Sequence, residues 1–343
     1  MQAREPAPVA VLGAGSWGTA LAIHLARQRH EVRLWGHRPA HVAALAQARC
    51  NARYLPQVPF PSSLQPVATL EEAVAGNAAV LIAVPCRALR ETLRTLLLAA
   101  PEVERLALAC KGLEPESLRL PHALAADSLG QARPVALISG PTFAAELAAG
   151  LPAATTVAAT DLRVADDWAR LIHSDRLRAY TTTDVVGVAL GGALKNVIAI
   201  AAGVADGLGF GANSRAALIT RGLAEMRRLG QALGGRQETF MGLAGMGDLV
   251  LTCTDDQSRN RRFGLALGRN VEVSAALAEI GQVVEGMRTV SPVRALAQQH
   301  GVRMPITEQV YQLVHGRRTA QEAVDRLMGG QHRHEAGEGT PAD

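Results

Sequence analysis

Lysine is almost missing from this chain. Of its 35 lysine and arginine residues only two, Lys111 and Lys195, are lysine; the other 33 are arginine. On a solvated surface the two residue types serve almost equally well. A guanidinium, however, does not release its proton in a protein, whereas a buried ammonium can be tuned to act as acid or base. The two lysines are therefore candidates for proton chemistry. Aromatic residues are also scarce, at 3%. That argues against the aromatic-interleaved basic face that single-stranded nucleic acid requires, and leaves the cores to Ala, Leu, Val and Ile. The four cysteines, Cys50, Cys86, Cys110 and Cys253, show neither CxxC pairing nor regular spacing. This argues against a disulfide framework or a structural zinc and for a reducing compartment. The histidines have no metal-ligand spacing, no internal repeat is present, and the N-terminal residues lack the sustained apolar stretch of a secretion signal.

What is present is glycine (33 residues), a hydrophobic fraction of 48% and a mild net charge of +4 over 343 residues. Such a length accommodates two globular domains, and such a charge suits small anionic ligands. The apolar run PVAVLG (8–13) precedes a helical pattern, TALAIHLARQ, and between them lies Gly13-Ala14-Gly15-Ser16-Trp17-Gly18. This is a GxGxxG in the strand–turn–helix setting that a dinucleotide site needs. Gly13 permits the tight turn, Gly15 the approach of a pyrophosphate and Gly18 close packing of helix on strand. The next strand, EVRLWGHR (31–38), ends in His37 and Arg38 rather than in an acidic residue. A cation there suits a 2′-phosphate, so the expected cofactor is NADPH, with NADH as the second choice; solvated loop residues are the other reading.

After a proline-marked connection, RYLPQVPFPSSL, strand–helix alternation resumes through AAVLIAV (78–84), RLALAC (105–110), PVALISG (134–140), ATTVAAT (154–160) and RLRAYT (176–181). Ligands of open α/β sheets lie beyond the carboxyl ends of the strands, which places Lys111 and the Gly140–Thr142 turn on the expected rim. From about residue 184 the patterns are helical. The expected architecture is an α/β Rossmann-type dinucleotide-binding domain over 1–183, an all-α domain over 184–330, and a segment over 331–343 with the composition of a disordered tail. The run 184–207, DVVGVALGGALKNVIAIAAGVADG, has membrane-spanning length, but Lys195 and Asn196 at its centre favour a buried helix of a soluble domain. Gly191 and Gly192 share the lysine's face and are expected to leave room for a ligand. Further on, SRNRR (258–262) is open to three readings: a small phosphate site, a nucleic-acid patch, or a solvated helix start.

Together GAGSWGTALA (13–22), CKGLE (110–114), SGPTFAAELAAGLP (139–152), GGALKNVIAIAAGVADGLGFGANSRAALITRGLAEM (191–226) and GMGDLVLTCTDDQSRNRRFG (245–264) resemble the bacterial NAD(P)-dependent glycerol-3-phosphate dehydrogenases, over nearly the whole chain. The resemblance implies reversible, cytoplasmic reduction of dihydroxyacetone phosphate to sn-glycerol 3-phosphate for phospholipid synthesis, by a homodimer. It implies Lys195 as the proton donor and acceptor, with Lys111 touching both substrate and cofactor and Asp248 completing the catalytic set. Lys195, Gly140, Thr142, Asp248, Ser258, Arg259 and Asn260 match substrate-contacting positions of the family. Ser16, Trp17, His37, Ala144, Arg259, Val283 and Glu285 match cofactor-contacting ones, and Arg38 stands where the family varies. Two other readings remain: a ketopantoate or 3-hydroxyacid reductase of the same architecture, which would have no use for SRNRR, and a non-catalytic NADPH sensor.

Overall fold

The computed structural model describes residues 8–76, 78–130 and 133–328; the expected tail over 331–343 lies outside them. The first part runs β1 (Val9–Leu12), α1 (Ser16–Arg27), β2 (Val32–Trp35), α2 (Pro39–Ala48), β3 (Cys50–Asn51), β4 (Leu55–Pro59), β5 (Leu64–Val67), α3 (Leu70–Val74), β6 (Ala79–Ile82), α4 (Leu89–Ala99), β7 (Leu106–Leu108), α5 (Pro121–Leu129), β8 (Val135–Ser139), α6 (Ala144–Ala149), β9 (Ala153–Ala158), α7 (Leu162–Ile172) and β10 (Leu177–Thr182). Eight of these strands form one sheet in the order β10-β9-β8-β7-β6-β1-β2-β5. Every residue of β1 and β6 is buried, as expected of central parallel strands covered by helices on both faces. This is the Rossmann-type layer read from the strand–helix alternation.

Two features depart from that reading. The pair β8–β9 is antiparallel, with Ile138 opposite Val157, while the other pairs of the sheet are parallel. And the proline-marked connection is not merely a loop: β3 and β4 form a small antiparallel hairpin, and β5 extends the sheet beside β2. Prolines 59 and 66 hide these strands from a pattern search. An edge strand tolerates proline because one of its sides has no ladder to donate to.

From α8 (Val185–Gly207) onward the described chain is helical: α9 (Ala212–Ala232), α10 (Gln237–Met241), α11 (Asp248–Thr254), α12 (Arg259–Gly268), α13 (Val273–Ile280), α14 (Glu285–Gln299), α15 (Pro305–Val314) and α16 (Ala320–Met328). α8 is the axle of this part. Asp184 caps it, its carboxylate accepting from Gly187 N and from Arg236 N, each at 2.8 Å. It is the one described helix long and apolar enough to cross a membrane, yet 94% of its most apolar window is buried inside the protein, which makes it a core helix. α12 lies against it almost backbone to backbone, because Gly264 faces the Ile200 carbonyl with no room for a Cβ. Gly264→Ala should therefore overpack the crossing and lower stability by about 1–3 kcal/mol, read as a lower urea midpoint at unchanged slope.

Candidate active site

The dinucleotide turn has the geometry its sequence implies. Gly13 has φ +123° and would place a Cβ 2.7 Å from the Ala83 carbonyl; a Cβ on Gly18 would strike the Gly13 carbonyl. Gly15, in contrast, has nothing within 4 Å of its Cβ position. It precedes Ser16 and Trp17 at the start of α1, a helix end with no side-chain cap. Free N–H groups and open space at a helix N-terminus fit a pyrophosphate. At the end of β2, His37 and Arg38 are exposed, and the Arg38 guanidinium donates to the Tyr54 hydroxyl at 2.9 Å.

The two lysines converge on one carboxylate. Lys111, just past β7, donates to Asp248 Oδ2 at 2.8 Å, and Lys195, midway along α8, donates to Oδ1 of the same residue. Asp248 is fully buried at the start of α11, immediately after a π-helical turn over Leu243–Gly247. That turn comes up against α8 because a Cβ on Gly191 would collide with the Ala244 carbonyl. Gly192 faces Ser139 Oγ and the Lys111 stem in the same way. The expectation that these glycines leave room for a ligand is thus corrected: protein fills the space, and the glycines let Asp248 and Lys111 close on Lys195.

Burial is the largest influence on the Lys195 ammonium and lowers its pKa; the neighbouring Lys111 charge lowers it too, while Asp248 opposes both. The net result is a pKa brought down from 10.5 to about 7. An ammonium has three donors, and one is spent on Asp248, so others remain for a ligand. Lys111 also approaches the Gly140 carbonyl at 3.5 Å, the atom that accepts the Thr142 hydroxyl at 3.2 Å. Gly140 and Thr142 therefore border the lysine pair, and Ala144 begins α6 beyond them.

The SRNRR segment divides. Ser258 caps α12, accepting from Arg261 N. Arg261 turns inward to Asp206 at 2.6 Å and pairs with Asp256, and Arg262 is exposed. Arg259 reaches Gln282 Oε1 at 3.3 Å. Glu285, two residues past Val283 at the start of α14, has its carboxyl pKa raised by burial, against the opposing charges of Arg259, Arg288 and Arg87. Asn260 donates to Asn196 Oδ1 at 2.8 Å and accepts from Gly286 N at 2.8 Å. Asn196, beside Lys195, is a site residue the sequence reasoning passed over, as is Thr252, whose hydroxyl donates to the Asp248 carbonyl at 2.6 Å. A polar residue inside an apolar helix was the signal for Asn196. For Thr252 there was none beyond its place in a polar run.

Residues 8–165 match the profile of the NAD-dependent glycerol-3-phosphate dehydrogenase N-terminus, and residues 184–325 that of its C-terminus. The chain is 57% identical over 322 residues to a glycerol-3-phosphate dehydrogenase [NAD(P)+] of Thioalkalivibrio sulfidiphilus, covering 94% of this chain and 97% of the relative. It is 55% identical over 324 residues to one from Escherichia coli, covering 94% and 96%. The crystal structure of glycerol-3-phosphate dehydrogenase from Coxiella burnetii superimposes with TM-score 0.91 at 47% identity, over 94% of this chain and 99% of that one. On these grounds the chain belongs to the NAD-dependent glycerol-3-phosphate dehydrogenase family.

Proposed function

We propose that this protein is a glycerol-3-phosphate dehydrogenase that reversibly reduces dihydroxyacetone phosphate to sn-glycerol 3-phosphate with NAD(P)H, and that Lys195 is its proton donor and acceptor. The observation that carries the lysine's role is the Lys195–Asp248–Lys111 cluster on the rim of the sheet. When bound, the nicotinamide supplies or takes the hydride. In reduction negative charge develops on the carbonyl oxygen, and Lys195 both stabilises it and delivers a proton from Nζ. Lys111 remains paired with Asp248 Oδ2 after Lys195 has given up its proton. The family resemblance assigns Ser258, Arg259 and Asn260 to the substrate, where they would meet the phosphate, and Gly140 and Thr142 to its reacting end. Gly13, Gly15, Ser16, Trp17, Gly18, Ala144, Val283 and Glu285, with His37 and Arg38, line the cofactor side. A division into domains at 183/184, which rests on the change from strand–helix alternation to helical patterns, belongs to the same proposal, as do a homodimer, a cytoplasmic location and a role in phospholipid supply, which rest on the family resemblance.

Initial rates of NADPH oxidation with dihydroxyacetone phosphate and with ketopantoate test it. Turnover with ketopantoate alone would favour the sister reductase, and none with either a sensor. The lowered Lys195 pKa adds a signature. Reduction needs the ammonium, so its kcat/KM should fall as pH rises through the lysine's pKa. Oxidation needs the amine, so its kcat/KM should rise over the same interval.

A further inference from the structure

The hairpin hidden by prolines sits at the end of β2, where this fold places the adenine ribose. From Val32 through Leu70 the chain has no Asp or Glu, so no carboxylate from this stretch is available for a ribose diol. In its place lie five cationic, imidazole or phenolic side chains. Tyr54 is their centre: its hydroxyl accepts from Arg38 at 2.9 Å, the Arg53 guanidinium lies 5.3 Å from its ring centroid, and His41 stands edge-on to it at 5.5 Å. His37 adds a further imidazole, and burial above all, with the charges of Arg38 and Arg53 behind it, lowers the His41 pKa.

This cluster is anchored to the dinucleotide turn. Asn51, fully buried in β3, donates to the Ala14 carbonyl at 3.1 Å and to Thr19 Oγ1 at 2.8 Å, and accepts from Tyr54 N at 3.3 Å. His41 donates to the same Ala14 carbonyl at 3.3 Å. The middle residue of Gly13-Ala14-Gly15 is thus tied both to the hairpin turn and to α2, which fixes the cations relative to the pyrophosphate position.

We propose that Arg53 and Tyr54 are specificity residues for the 2′-phosphate of NADPH: Arg53 pairs with the phosphate beside Arg38, and Tyr54 is the positioning residue that holds both guanidiniums. The proposal rests on the dinucleotide reading of the glycine turn and deepens it. A guanidinium offers several N–H donors in a fixed fork, so Arg38 can spend one on Tyr54 and keep the rest for a phosphate.

The test is binding by the full-length protein, which needs no substrate. NADPH and NADH are titrated by fluorescence, and adenosine 2′,5′-bisphosphate and AMP by calorimetry. Arg53→Ala should weaken NADPH and the bisphosphate about tenfold, the effect of one charge-assisted hydrogen bond. Tyr54→Phe should weaken them about threefold, and both variants should leave NADH and AMP within about twofold of wild type. A merely structural role would weaken all four ligands alike and would overturn the proposal. So would an NADPH-to-NADH affinity ratio unchanged in both variants. If wild type turned over dihydroxyacetone phosphate with neither cofactor, the enzymatic reading would fall, and the affinity ratios would still decide the role of Arg53 and Tyr54.

Discussion

Lys195→Arg should still bind NADPH and should reduce dihydroxyacetone phosphate at least about a thousandfold more slowly than wild type, within the range for loss of a positioned general acid. The substitution keeps the positive charge, so Asp248 retains a cation and the fold is spared the cost of a buried unpaired carboxylate. What it removes is the labile proton: a guanidinium beside Asp248 stays protonated at any pH the enzyme survives. The larger head must also fit where the π-helical turn presses on Gly191, so the substrate oxygen would meet a displaced donor. Fluorescence titration of NADPH against steady-state turnover separates the two properties. Wild-type-like turnover would remove Lys195 from the proton-transfer role.

How far the sequence alone reaches depends on the range of the interaction behind each feature. The glycine turn was legible because its three glycines, strand and helix are local; Gly13 and Gly18 are each required by a carbonyl nearby, that of Ala83 and that of Gly13, while Gly15 leaves open space. The two lysines were legible because arginine replaced lysine wherever the proton was idle. Asp248 could be placed in the catalytic set by resemblance, but that it bridges both lysines could not be read from residues 137 and 53 positions away. The glycines beside Lys195 were misjudged for the same reason: a missing side chain looks like space until the element that fills it is known. Arg261 and Arg259 look alike in SRNRR, and only the presence of Asp206 on α8 turns one of them inward. The strands over 50–67 were obscured by prolines that an edge position permits.

The bridging carboxylate leads to the second large effect. Asp248→Asn keeps the shape of the side chain but leaves two ammonium groups beside a neutral amide. In the wild type Asp248 raises the Lys195 pKa against burial and against Lys111. Without that charge the pKa must fall further, so at neutral pH the lysine is mostly the free amine. The falling limb of the reduction profile should move to lower pH, and the rising limb of the oxidation profile should move with it by the same amount, because both report one group. At pH 7.5 reduction should drop by about a hundredfold or more, since the general acid is largely absent and Lys111 has lost the partner that orients it. Removing one member of a buried pair typically costs about 3–5 kcal/mol. Here the loss should be smaller, because Lys195 can shed its proton and leave no uncompensated buried charge. The measurement is a pair of pH–rate profiles beside a thermal melt. Limbs that stay at their wild-type midpoints would show that Asp248 does not set the lysine's ionisation, whatever happens to the rate.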